Sequence, residues 1–153
     1  MINLIEETDI SSATLSIELE RAVIQHESKP DGSLYVFEDG FPFWVRVLKK
    51  SGFVAFATYI GFRESSTQLE KLTLANSFNK TSFMISAYVV KEELRIDHAI
   101  SYRDGMLKET FIRGCRNFSS VVEKAINDLD PEYKVIMRLS ELSSEGRDEN
   151  RVA

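Results

Sequence analysis

Apolar residues recur along this chain first at helical spacing, then at alternate positions, then at both in turn. Leu15, Leu19, Ala22, Val23 and His26 fall three or four apart behind Ser11 and Ser12, whose hydroxyls can cap free N–H groups, so a helix is predicted through His26. Lys29-Pro30-Asp31-Gly32 breaks it. Three strand-like runs follow, Leu34 to Glu38, Phe43 to Lys49 and Phe53 to Ile60, separated by Asp39-Gly40 and by Lys50-Ser51 with Gly52. Ser65 and Gln68 have capping-box spacing and predict a second helix carrying Leu69, Leu72, Ala75 and Phe78, with Asn79 as its C-cap. Phe83 to Val90 and Leu94 to Tyr102 read as a hairpin. Leu107, Phe111, Cys115, Phe118, Val122, Ala125 and Leu129 mark a long amphipathic helix that Asp130-Pro131 ends. Tyr133 to Leu142 fits a short helix or a strand.

The order α-β-β-β-α-β-β-α predicts an α+β fold, an antiparallel five-stranded sheet with helices packed on one face. Residues 1–142 form the expected single domain, and the polar stretch 143–153 is the expected disordered tail.

Register follows from the turns. A two-residue loop at Lys50-Ser51 pairs Leu48 with Phe53, Arg46 with Ala55 and Trp44 with Ala57. A loop at Glu92-Glu93 pairs Val89 with Ile96, Ala87 with His98 and Ile85 with Ile100. One face then collects Phe43, Val45, Val47, Val54, Phe56, Ile60, Phe83, Ile85 and their neighbours, and should meet the helices. The other carries Trp44, Arg46, Leu48, Phe53, Tyr59, Met84 and Tyr88 among small residues. Aromatics, Met and Arg set among small residues resemble a protein interface more than a solvated sheet face. Two occupants would satisfy it: a second molecule, most simply another copy of the chain, or the N-terminal helix or C-terminal segment folded over it.

Composition narrows the function. The 153 residues carry a net charge of −5, which disfavours a binder dominated by phosphate contacts. Arg46, Lys49, Lys50 and Arg63 make a small basic end beside Trp44 and Tyr59, an arrangement that could hold single-stranded nucleic acid, but the cations are few and a solvated turn explains them. The lone Cys115, the absence of a secretory pattern and the absence of a ~20-residue apolar run point to the cytoplasm and to no membrane association.

No catalytic constellation emerges. His26 and His98 lack metal-ligand spacing, Cys115 lies on an apolar helical stripe, and no glycine-rich phosphate loop occurs. No enzyme, cofactor or metal is expected. Should the chain use a sheet–helix pocket for a small ligand or a reaction, His98, Cys115 and Asn76 are its best residues, and they would have to share one polar cavity.

The element order, with Asn76-Ser77-Phe78-Asn79 closing the second helix, resembles the YbjN family of bacterial proteins over roughly residues 12–129. The family pattern is Asn-x-aromatic-Asn. Here the aromatic is Phe78 where tryptophan is common, and the hairpin tip lacks the usual Asp-Gly pair. The resemblance implies a fold similar to type III secretion chaperones, which are small, acidic, dimeric and non-enzymatic. It also implies a role in sensory transduction regulation, with no catalytic residue to carry over. The expectation is a non-catalytic interaction or regulatory protein, a homodimer binding a protein or peptide partner. A dedicated secretion chaperone is the alternative within that class.

Overall fold

The computed structural model describes residues 3–37 and 40–141. In chain order its elements are β1 (Leu4–Ile5), α1 (Ser12–Arg21), β2 (His26–Ser28), β3 (Leu34–Val36), β4 (Phe43–Leu48), β5 (Phe53–Gly61), α2 (Gln68–Thr81), β6 (Ser86–Val90), β7 (Glu93–Ser101), β8 (Met106–Leu107) and α3 (Lys108–Leu129). The expected α+β class with three helices and an antiparallel sheet holds. The sheet has six strands rather than five, in the order β2-β3-β4-β5-β7-β6, and β1 pairs with β8 in a separate ribbon.

The sixth strand comes from the first helix, which stops at Arg21 instead of His26. Val23 adopts φ +59°, the chain reverses, and His26 opens β2 against Val36. His26 shares the helical spacing, yet its ring bonds Ser16 Oγ at 2.7 Å and the Ile24 carbonyl at 2.9 Å. Those local partners suit a residue leaving the helix. The expected tail, the last residue of the expected first strand, Glu38, and Asp39 of the following turn lie outside the described residues.

The β4–β5 register is the expected one, Trp44 with Ala57 through Leu48 with Phe53. The connection is a four-residue turn, closed by Gly52 N–H donating to Leu48 O, and Gly52 takes φ +74°. The second hairpin differs. Its loop is Lys91-Glu92, with Lys91 at φ +54°, so Ala87 faces Ile96 and Val89 faces Leu94. The pairing has moved by two residues. An even slip keeps every side chain on its own face, so apolar matching cannot detect it. The strand is also shorter than expected: Phe83 and Met84 fall in the connection before β6, Met84 at φ +75°, and Phe83 is 90% exposed instead of joining the core.

α3 lies across one face of the sheet. Phe118 meets Phe43 edge-on at 5.2 Å, and Phe56 lies within 6.3 Å of both Phe111 and Phe118, measured between ring centroids. α1 packs beside β2 at one end and α2 beside β6 at the other, and both touch α3. The buried residues make one cluster.

α2 is rotated from its expected setting. Its capping box is Thr67 with Glu70 rather than Ser65 with Gln68, and Lys71, Leu74, Ala75 and Phe78 point inward while Leu69 and Leu72 face out. Lys71 is tolerated inside because its ammonium reaches Glu92 at 2.9 Å and the Phe62 ring at 5.5 Å.

Asn79 is not a C-cap. Its Nδ2 donates to Ala87 O at 2.8 Å and its Oδ1 accepts from Ala87 N at 2.7 Å. One carboxamide therefore satisfies both backbone groups that an edge-strand residue turns outward, a protection such edges require. Asn79→Ala is expected to cost about 1–3 kcal/mol in urea unfolding, because two backbone groups lose their partners. A loss below ~0.5 kcal/mol would mean that water replaces the amide freely.

Past α3, the region read as helix or strand is mostly neither. Ile136 makes a single antiparallel bridge to Phe62, and Leu139–Glu141 form one 3-10 turn.

Candidate functional site

Strand alternation puts every second side chain of the sheet on the face opposite the helices. Across it, Tyr35 stands beside Trp44, Trp44 beside Ala57, Ala57 beside Asp97 and Asp97 beside Ser86. In the neighbouring rows Arg46, Ala55 and Ala99 align, as do Tyr59, Arg95 and Tyr88.

These rows give the face relief. The Tyr35 ring lies 4.8 Å from Trp44 and stacks on Phe37 at 5.6 Å, which builds an aromatic ridge over β3 and β4. Ala55, Ala57 and Ala99 carry only methyl side chains, so the face drops to a trough beside it. Beyond the trough the Arg95 guanidinium sits 5.1 Å over Tyr59, and Tyr88 Oη donates to Asp97 at 2.8 Å. Desolvation, followed by that carboxylate, raises the Tyr88 hydroxyl above its ordinary pKa, so it remains a donor. Arg95 Nε is buried with no hydrogen-bond partner among the described residues.

Six of the seven expected face residues gather here. Trp44, Arg46 and Tyr59 are half-buried on the face, and Leu48, Phe53 and Tyr88 are exposed on it. Arg46 reaches Asp31 at 3.7 Å; hydrogen bonds from Ser33 hold the Asp31 carboxyl below its usual range, so the pair stays charged. Met84 departs, being in the connection before β6 rather than on the strand. Tyr35 and Phe37 are missed by sequence reasoning. Their signal was the alternation Leu34-Tyr35-Val36-Phe37, whose apolar partners Leu34 and Val36 are buried.

The small-ligand candidates are not brought together. His98 stacks on Phe56 at 5.9 Å on the helical side, with its pKa lowered by desolvation against an opposing bond to the Met84 backbone. Cys115 is buried in α3, where burial pushes its thiol far up and leaves no thiolate at neutral pH. Asn76 is exposed on α2. Three separate environments supply no shared polar cavity.

The basic end is likewise dispersed. Lys49 and Lys50 are solvated in the β4–β5 turn, while Arg63 donates to Tyr133 O and pairs with Glu141 at 3.0 Å. Among the described residues no helix is long and apolar enough to cross a membrane.

The family model described as "Putative bacterial sensory transduction regulator", YbjN, matches residues 11–131. The chain belongs to the YbjN family. A similar solved structure is "Crystal structure of YbjN, a putative transcription regulator from E. coli", with a TM-score of 0.68 and 16% identity, over 82% of this chain and 95% of that one. At that identity the likeness carries the fold alone. No curated protein matches the sequence. For YbjN as a family, the description supports a regulatory or interaction role in general terms. The Asn-x-aromatic-Asn signature acquires a physical meaning in this member: Phe78 enters the core and Asn79 holds β6.

Proposed function

We propose that this YbjN-family protein is a non-catalytic regulator that works by protein–protein contact, and that its working surface is the helix-free face of the sheet. One observation carries the reading: an aromatic ridge of Tyr35, Phe37 and Trp44 lies beside a trough floored by Ala55, Ala57 and Ala99. A ridge beside a trough is self-complementary under a two-fold axis, because each copy can set its ridge into the other's trough. The face therefore takes a second copy when no other protein segment occupies it. Such a homodimer, in a cytoplasmic setting and with a chaperone-like fold, agrees with the acidic charge of −5 and the single buried cysteine.

Sedimentation velocity tests this reading. A dimer is expected at tens of micromolar protein, which corresponds to roughly 6–7 kcal/mol of association. Ala99→Lys places a charge in the exposed trough and should give a monomer with an unchanged circular dichroism spectrum. A wild-type monomer throughout that range, or a dimer indifferent to Ala99→Lys, would remove the face from the proposal.

A further inference from the structure

The helical side of the molecule carries a second surface, independent of the sheet face. Where α1 passes α3, an open groove of about 400 Å3 lies between them. Ala22 and Ile112 supply its apolar part. Around them stand four cations, Arg21, Lys108, Arg113 and Arg116, against only two carboxylates, Glu18 and Glu109.

The distribution of partners makes the excess meaningful. Glu18 is buried and already committed, to Arg21 at 2.9 Å and to Lys108 at 3.5 Å. Arg116 donates to the Ala22 carbonyl at 3.4 Å, at the C-terminus of α1, where a cation meets the negative end of the helix. The Arg113 side chain is exposed, with no ion pair or side-chain hydrogen bond among the described residues, Glu109 one turn before it included. A chain with a net charge of −5 thus concentrates positive charge beside an apolar strip.

We infer that this groove binds an acidic segment of a partner protein, one that sets an aliphatic side chain against Ala22 and Ile112 and flanking carboxylates against Arg113 and Arg116. A groove open between two helices admits a chain running along it, whereas a small anion needs enclosure to be held. Paired carboxylate–guanidinium contacts would supply orientation, and the aliphatic anchor would supply contact area.

Fluorescence anisotropy tests the inference with a fluorescein-labelled peptide, Gly-Glu-Glu-Leu-Glu-Glu-Gly, titrated with the full-length chain. Saturable binding is expected, weakening as salt rises. Arg113→Glu should reduce the affinity by about tenfold or more. Lys124→Glu, on the same helix but outside the groove, should leave it unchanged, as should Ala99→Lys on the sheet face. Replacing the central leucine by glycine should also weaken the peptide. The inference is overturned by absence of binding at millimolar protein, or by equal losses from Arg113→Glu and Lys124→Glu, which would indicate bulk charge alone. It also falls if inorganic pyrophosphate displaces the peptide at equal concentration and the leucine makes no difference, since that describes a plain anion site. Because Ala99→Lys is carried as a separate arm, failure here leaves the sheet-face reading standing, and the reverse.

Discussion

Phe56→Ala is expected to lower stability by about 3–5 kcal/mol, read as a large fall in the urea midpoint. Phe56 has no exposed surface, and its ring centroid lies within 6.3 Å of Phe43, Phe111, Phe118 and His98. It is the point where the central strand β5 meets α3. Gly114 shows how close that approach is: a Cβ there would come within 3.3 Å of the Phe56 ring and 3.0 Å of Ile100. With α3 held this near by a glycine, the surroundings have little freedom to collapse into the space an alanine leaves, so the cavity penalty adds to the lost burial. For a domain with the usual ~5–15 kcal/mol of stability the loss is severe. Phe56→Leu serves as the milder companion should the alanine variant fail to fold, with an expected cost of about 1–2 kcal/mol. A change under ~1 kcal/mol in Phe56→Ala would mean that α3 can move onto the sheet, and that this packing is not what sets the helix position.

The second large effect is expected at Asp130, which ends α3. Its carboxylate is buried and accepts three backbone hydrogen bonds, from Lys134 at 2.9 Å and from Val135 and Ile136 at 3.0 Å each. Those bonds fold the chain back so that Ile136 enters the core and bridges Phe62. The Val135 carbonyl can then accept from the Arg63 N–H and the Ser66 hydroxyl. Asp130→Ala removes the acceptor from three N–H groups together and should cost on the order of 3 kcal/mol. Asp130→Asn keeps one carbonyl oxygen with two lone pairs but presents an amide donor to the remaining N–H, so it should recover part of the loss. If both variants stay within ~1 kcal/mol of wild type, the turn is held by Ile136 burial instead of by the carboxylate.

Asp130 also shows how a correct sequence signal can stand for something else. Asp130-Pro131 reads as a helix stop, and α3 does end there. That the Asp130 side chain can accept from the N–H groups after it is readable as an N-cap, but its three partners and the fold-back they impose are not, because they lie in a segment without periodicity. Asn79 is similar. The Asn-x-aromatic-Asn spacing marks the end of α2, but a helix cap and a strand-edge clamp use the same residue type, and only the position of β6 distinguishes them.

The elements and the sheet faces were legible wherever one side of an element is buried. α3 follows its stripe from Phe111 to Ala125, and β4 and β5 pair in the expected register, because a one-residue slip there would turn Val45 and Phe56 toward water. Most of the aromatic face could be listed for the same reason. What stayed hidden either leaves the alternation unchanged or depends on contacts between residues far apart in the chain. The two-residue shift at β6–β7 costs nothing in face assignment, so the alternation could not detect it. α2 turned Leu69 and Leu72 outward and Lys71 inward because Glu92, on the hairpin loop, was there to pair with the ammonium. The groove between α1 and α3 joins cations from residues 21 and 108–116, whose proximity arises only when both helices pack on the same sheet. Local periodicity reports which side of an element faces the interior, and so most of the sheet face; which element it meets there is set by long-range packing, and that is where the groove between α1 and α3 comes into being.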